Sequence, residues 1–248
     1  LRVPDRDHPK GVRRGFLWAY VGDARWAYFD YTSTREKEGP LAFLAQRRGF
    51  VQADAYSGYN ALFQGDPPRC REVGCWAHAR RRFVEALEAG ELVAAEPLRQ
   101  IQALYGIERA LRQEAVSPEV RAKVRQEQAS PILAELRTWL EPRRDRWPPS
   151  SLLADAIGYT LNQWEALWVY LEDGSLEIDN TRVERLMRMV AVGRRNYLFA
   201  GSDDGARHGA VHYTLIATCR LHGIDAQAYL ADVTAKLADG WPQRRLAE

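Results

Sequence analysis

The apolar positions near the start of the chain have the pattern of β-strands. Two apolar runs, at residues 16–21 and 26–32, are separated by the four residues 22–25, which include a glycine and an aspartate. This spacing and turn chemistry predict an antiparallel β-hairpin. Because the runs are apolar on both faces, we expect a sheet that is covered on both sides.

A further strand is predicted after a short helical segment. Residues 41–44 have helical spacing, and the run at 50–56 is again strand-like. A strand, a crossover helix and another strand imply parallel pairing somewhere in the sheet, so the core is predicted to be α/β. Residues 1–15 are polar and contain two prolines and two glycines, which predicts a loop.

Helical spacing replaces the strand pattern over residues 75–170. Apolar residues recur there every three or four positions, and six prolines separate the segments, which predicts a block of several helices. The last region is predicted to contain a helix from about Thr181, followed by helices at 207–222 and 225–237.

Composition excludes several classes of protein. The 248 residues are 46% hydrophobic and 27% charged, which fits a folded globular chain and excludes collagen-like and disordered ones. No apolar run approaches the roughly 20 residues that span a bilayer, and no charged-then-apolar leader is present. We therefore expect a cytoplasmic protein without a membrane partner.

Arginine dominates the basic residues. The 35 basic residues include only four lysines, although the formal net charge is just +2. A guanidinium group grips phosphate with two hydrogen bonds, so the bias favours a nucleic-acid partner, while a GC-rich genome would produce the same bias. The candidate DNA-binding residues are Arg80, Arg81, Arg82, Arg188, Arg194, Arg195 and Asn196.

Two carboxylates are candidates for metal binding, and each has a plainer alternative. Asp54 lies at the end of a predicted strand, where open α/β sheets build active sites, but it could instead hydrogen-bond Ser57 in the following turn. Glu184 lies beside the apolar stripe of its helix and could share a metal with Asp54. It could instead form a capping box with Thr181.

The cysteines do not predict disulfides or a complete zinc site. Their number is three, an odd count in a chain with no secretion signal. Cys75 and His78 have the spacing of metal ligands, but no second pair of ligands accompanies them. Packing and hydrogen bonding are the expected roles of this possible structural pair.

Six motifs, in this order, resemble the central catalytic and C-terminal parts of insertion-sequence-66-type DDE transposases. They are FLWAYVGD, VQADAYSGYNALF, VGCWAHARRRF, EIDNTRVERLMR, GRRNYLFAGSDDGARHGA and LIATCRLHGIDAQAYL. The resemblance implies an α/β fold: a ribonuclease-H-like mixed sheet interrupted by an all-helical insertion, with a helical C-terminal end. The core would occupy 1–78 and 173–206, the insertion 79–172, and the C-terminal region 207–248.

The resemblance also implies the chemistry. Asp54 and Glu184 would be the second and third of three catalytic carboxylates and would bind Mg²⁺ or Mn²⁺. Two such ions, roughly 3.5–4 Å apart, activate a water or a 3′-hydroxyl and stabilise the leaving oxygen. The implied partners are DNA (the element ends and the target), accessory proteins of the element, and further copies of the chain.

The family's first aspartate lies in a strand upstream of the stretch that residues 1–3 resemble, and is not in this sequence. Asp30, on a strand face with Trp26 and Tyr28, is the only geometric substitute, and a poor one. We therefore expect this N-terminally truncated chain to be inactive alone and its sheet to be compromised. Two alternatives stay open: a non-enzymatic DNA-binding remnant of a mobile element, and a helical interaction protein.

Overall fold

The computed structural model describes residues 1–23, 25–197 and 199–242. The chain divides into two compact units. The first unit combines Leu1–Gly39 with Arg182–Glu248, and the second is the continuous segment Pro40–Thr181. Each unit has its own cluster of buried apolar side chains, which is what an independent domain needs.

The strands in the described part of the chain are short and form three separate pairs. In chain order they are β1 (Arg2–Pro4), β2 (Val12–Arg14), β3 (Phe16–Gly22), β4 (Trp26–Thr32), β5 (Gly49–Gln52) and β6 (Cys70–Val73). β1 pairs with β2 and β3 with β4, both antiparallel, whereas β5 and β6 are parallel.

Helices make up most of the remaining structure. In chain order they are α1 (Glu38–Phe43), α2 (Trp76–Glu88), α3 (Ala95–Gln113), α4 (Pro118–Val124), α5 (Ser130–Leu140), α6 (Leu152–Asn162), α7 (Trp164–Trp168), α8 (Thr181–Gly193), α9 (Asp203–Leu221) and α10 (Ala226–Ala238). The predicted helical block and the closing helices are confirmed. None of the helices in the described ranges combines the length and apolar character that crossing a bilayer requires.

The predicted hairpin is confirmed, but only one of its faces is buried. Ala27, Phe29 and Tyr31 of β4 are buried, whereas Trp26 and Tyr28 are 45% and 38% exposed. Successive side chains of a strand point to opposite faces, and here one face lacks a covering layer. The expectation of a sheet covered on both sides is therefore wrong for this hairpin.

Helix α9 lies along the free edge of β4. The backbone N–H groups of Phe29 and Ala27 donate to the hydroxyls of Thr214 and Thr218, at 2.9 and 3.2 Å. These side chains satisfy edge donors that a further strand would otherwise use. Within the described part of the first unit, the β1–β2 and β3–β4 pairs stay separate. The α/β class is confirmed, and the ribonuclease-H-like arrangement stays a prediction.

The N-terminal segment, predicted as a loop, contains the β1–β2 ribbon. Val3 of this ribbon is buried, and Arg13 lies opposite it. The Arg13 guanidinium is paired with Asp203 and with Asp5 at 3.3 Å, and the Tyr31 hydroxyl donates to Asp203 at 2.6 Å. Strands of three residues are too short to show alternation in the sequence, which is why the pattern missed them.

The second unit contains the predicted parallel pairing. Its strand β5 is shorter than predicted and ends at Gln52, because Ala55 adopts a left-handed conformation (φ 61°) that ends the extended chain. The partner strand β6 was not predicted, since four residues give too little pattern. The helices pack around Trp76, whose indole N–H donates to the carbonyl of Leu167 at 2.9 Å.

A buried ion pair lies inside the helical block. Arg125 and Glu108 are 0% and 1% exposed, and two hydrogen bonds of 2.7 and 3.0 Å join them. Burial disfavours the charged Glu108, but hydrogen bonds from Arg125 and Arg121 outweigh it and hold the pKa of Glu108 below its usual value. Both charges are therefore kept in the core.

Arg125 also holds the segment that leads out of the block. Its remaining N–H groups donate to the carbonyls of Tyr170, Asp173 and Leu176, at 2.6, 3.0 and 2.8 Å. One guanidinium thus satisfies three backbone acceptors as well as a carboxylate. Removing it would take a partner from each of these carbonyls and leave Glu108 with Arg121 alone.

We expect Arg125→Met to destabilise the second unit by about 3–5 kcal/mol, the usual cost of breaking a buried ion pair from one side. Urea denaturation of the full chain, followed by circular dichroism, measures this. The control is Arg99→Met, which breaks the exposed pair of Arg99 with Glu96 and should change the stability little, because solvent screens this pair. Equal, small effects of the two changes would contradict the structural role given to Arg125.

Candidate active site and basic surface

Asp54 is exposed just beyond the end of β5. The backbone N–H of Ala53 donates to the carbonyl of Val73 at 3.3 Å, which keeps this end of β5 beside β6. Burial, and then the negative charge of Asp54, raise the pKa of Tyr59 to about 12, so the carboxylate lies near that phenol. No hydrogen bond joins Asp54 to Ser57 in the part of the chain that is described, so the turn-capping alternative gains no support.

Glu184 is exposed in the first turn of α8. The opposite face of the helix carries the buried Leu186 and Val190. Thr181 is the first helical residue rather than the cap, and its backbone N–H donates to the carboxylate of Asp179 at 3.0 Å. A negative side chain near a helix N-terminus is favourable, so the fold accommodates Glu184 as a carboxylate.

The segment that precedes α8 is held by side chains of the second unit. The Tyr105 hydroxyl donates to Asp179 at 2.8 Å, and the Cys75 thiol donates to the side-chain oxygen of Asn180 at 3.0 Å. The backbone N–H of Trp76 donates to Ile178 at 3.1 Å. Three neighbouring residues are thereby fixed at the point where α8 begins.

Cys75 is therefore a hydrogen-bonding residue of the core. Its side chain is buried, and burial raises the pKa of its thiol. His78 lies in the first turn of α2, with its backbone N–H bonded to the carbonyl of Cys75 at 3.2 Å. All three cysteines are free and buried. The hydrogen bond from the Cys75 thiol to the Asn180 amide fits the packing and hydrogen-bonding role expected for Cys75.

The two candidate carboxylates belong to different units. Asp54 lies in the second unit and Glu184 in the first. Each is an exposed oxygen donor of the kind that Mg²⁺ and Mn²⁺ prefer. Within the described ranges, no three or more His, Cys, Asp or Glu side chains are grouped so that they could hold an ion. The residues fit a metal in their chemistry, and their joint site stays a prediction.

The first arginine group of the second unit contains two exposed side chains and one that is paired. Arg80 and Arg81 are exposed on α2. Arg82 instead forms an ion pair with Asp155, and its guanidinium lies 4.3 Å from the ring centre of Tyr159. Arg82 therefore packs helix against helix, whereas its two neighbours are open to a ligand.

The second group is exposed on the first unit. It comprises Arg188, Arg194, Arg195 and Asn196. Within the described residues, no ion pair or side-chain hydrogen bond holds any of these four. The next residue, Tyr197, is anchored by a hydrogen bond of 2.9 Å between its hydroxyl and that of Tyr213. Gly193 lets the Tyr213 hydroxyl come this close to α8, because a Cβ at position 193 would lie only 2.7 Å from it.

The sequence pattern did not identify two residues that hold the start of α9, Ser202 and Asp203. The hydroxyl of Ser202 caps α9 by accepting from the backbone N–H of Gly205 at 3.0 Å, and a Ser-Asp-Asp sequence is a helix-start signal that could have revealed it. The pairing of Asp203 with Arg13 spans 190 residues. A local sequence pattern cannot predict an ion pair between residues so far apart in the chain.

The chain belongs to the IS66 transposase family. The family model described as "Transposase IS66 family" matches residues 1–208, and a second, "IS66 C-terminal element", matches residues 214–248. These matches confirm the resemblance that the six motifs indicate.

Three proteins of Sinorhizobium fredii, each named only as uncharacterized, are similar to the chain. y4hP is 36% identical over 257 residues and y4qI 34% over 244, covering 94% and 92% of this chain. y4jD is 34% identical over 240 residues and covers 90%. The chain spans only 46%, 45% and 46% of their respective lengths. No solved structure matches it.

Tyr105→Phe tests the anchoring of the segment before α8. The change removes only the hydroxyl that donates to Asp179, a hydrogen bond to a charged group worth about 1.5–3 kcal/mol. Urea denaturation should report a loss of this size. Tyr229→Phe, at an exposed position of α10, is the control and should cost almost nothing. If Tyr105→Phe were equally neutral, the hydrogen bond would not hold the segment.

Proposed function

We propose that this chain carries part of the catalytic core of a transposase, which cleaves DNA at element ends and joins the ends to target DNA. The family match over residues 1–208 carries this proposal. The exposure of both Asp54 and Glu184 supports it, because a catalytic carboxylate must reach its metal and the substrate. The DNA substrates, accessory proteins and oligomeric assembly are part of the same proposal.

A ribonuclease-H-like arrangement of the core belongs to the proposal. The antiparallel β3–β4 pair and the parallel β5–β6 pair together have the mixed directions that such a sheet needs. The helical block between β6 and α8 supports the proposed insertion. Asp54 follows strand β5, and Glu184 lies in the first turn of helix α8.

The proposed role of Asp54 and Glu184 is to hold divalent ions, Mg²⁺ or Mn²⁺, through their carboxylate oxygens. When bound, such ions activate the attacking hydroxyl and stabilise the leaving oxygen at a phosphodiester. Arg188, Arg194 and Arg195 supply guanidinium forks that donate to phosphate oxygens and hold the backbone in place. These contacts neutralise phosphate and do not read bases.

Mn²⁺ binding tests the two carboxylates directly. We expect Asp54→Asn and Glu184→Gln each to weaken Mn²⁺ binding by about tenfold or more, because each removes a charged oxygen ligand. Electron paramagnetic resonance of free Mn²⁺, titrated with the full chain, measures the affinity. The matched control is Asp239→Asn, an exposed carboxylate after α10 that should leave the affinity unchanged. Equal affinities of all the variants would overturn the metal assignment.

DNA binding tests the arginine segment. The logarithm of the affinity for a DNA duplex should fall linearly with the logarithm of the salt concentration. Arg194→Gln together with Arg195→Gln should reduce that slope by about two, since each loses about one phosphate contact. Fluorescence anisotropy over a salt series gives the slopes. An unchanged slope would show that Arg194 and Arg195 do not contact DNA. Binding of DNA without binding of Mn²⁺ would favour a non-enzymatic, DNA-binding remnant.

A further inference from the structure

The β1–β2 ribbon places two arginines directly opposite each other. Arg2 and Arg14 are Cα partners in the antiparallel register, and both are exposed. Their neighbours Val3 and Arg13 form the next pair and point to the other face, where Val3 is buried. Side chains of directly opposite residues start only about 4.5–5.5 Å apart at Cβ. Two guanidinium groups therefore leave the same face of the ribbon side by side.

This pairing is unfavourable for the fold by itself. Like charges directly opposite each other destabilise a β-ribbon. Within the described residues, neither the Arg2 nor the Arg14 side chain forms an ion pair or a hydrogen bond. The acidic residues near the ribbon, Asp5 and Asp203, are engaged with Arg13 on the other face. The described side chains of this unit therefore do not neutralise the positive charges of Arg2 and Arg14.

The end of the ribbon that carries Arg2 contacts the chain that follows the arginine-rich segment after α8. The backbone N–H of Ala200 donates to the carbonyl of Arg2 at 2.9 Å. The backbone N–H of Gly15, next to Arg14, donates to the carbonyl of Leu1, next to Arg2, at 3.0 Å. The chain that follows the arginine-rich segment therefore meets the ribbon at the end that carries both Arg2 and Arg14.

We propose that Arg2 and Arg14, together with Arg194, form a further contact to the DNA phosphodiester backbone. The ligand is the phosphate group, which a guanidinium fork binds with two hydrogen bonds, and the anion would offset the repulsion between the paired arginines. Such a contact fixes the position of DNA and carries no sequence information. This inference rests on the proposed function, because it extends the same DNA-binding surface to the ribbon.

The test compares DNA binding by the full chain and by the double variant Arg2→Gln with Arg14→Gln. Two lost phosphate contacts should reduce the salt slope by about two and weaken binding at low salt by at least tenfold. Arg2→Lys with Arg14→Lys keeps both charges and should retain the slope. The matched control is Arg25→Gln with Arg220→Gln, two exposed arginines of the same unit outside the cluster, and should change the slope little.

The outcomes separate this inference from the proposed function. If the parent chain binds DNA with a steep salt slope and the Arg2, Arg14 double variant keeps it, the ribbon contact is wrong and the proposed function stands. If the parent chain binds no DNA at low salt, both fail. Circular dichroism melting checks the fold of the double variant, which should be at least as stable as the parent, since a like-charge pair has been removed.

Discussion

Arg125 is the residue through which the helical block holds the chain that leads to α8. Its buried guanidinium neutralises Glu108 and binds the carbonyls of Tyr170, Asp173 and Leu176. A few residues later, Asp179 and its neighbours are fixed by Tyr105, Cys75 and Trp76. The helical block thus fixes the backbone of its own unit as far as Asn180, the residue before α8.

The arginines of the chain have two different roles, which their partners distinguish. Arg13, Arg82 and Arg125 are paired with acidic side chains and stabilise their units. Others, such as Arg14 and Arg194, are exposed without such partners in the described residues. The exposed arginines of the second kind are the ones suited to binding an external phosphate.

Local pattern predicted the features that depend on neighbouring residues. The hairpin follows from alternation and a glycine turn, and the helix of Glu184 follows from its apolar stripe. The pattern did not reveal the β1–β2 ribbon, because its strands are too short. Nor did it reveal the Arg125–Glu108 pair, because arginine and glutamate in a helix usually lie at the surface. It also did not show that the chain leaves the first unit after Gly39 and returns at Arg182, since that depends on contacts between distant segments.

The main proposal is that the carboxylates of Asp54 and Glu184 bind divalent ions beside bound DNA. Its most direct test is the Mn²⁺ affinity of the full chain, measured with and without a saturating DNA duplex. If Mn²⁺ and DNA bind at one site, phosphate oxygens of the DNA would supply further ligands to the ion, and binding of Mn²⁺ and of DNA must strengthen each other by the same factor. We expect bound DNA to raise the Mn²⁺ affinity severalfold, and we expect Asp54→Asn and Glu184→Gln to abolish this gain. An Mn²⁺ affinity that is indifferent to DNA would contradict it.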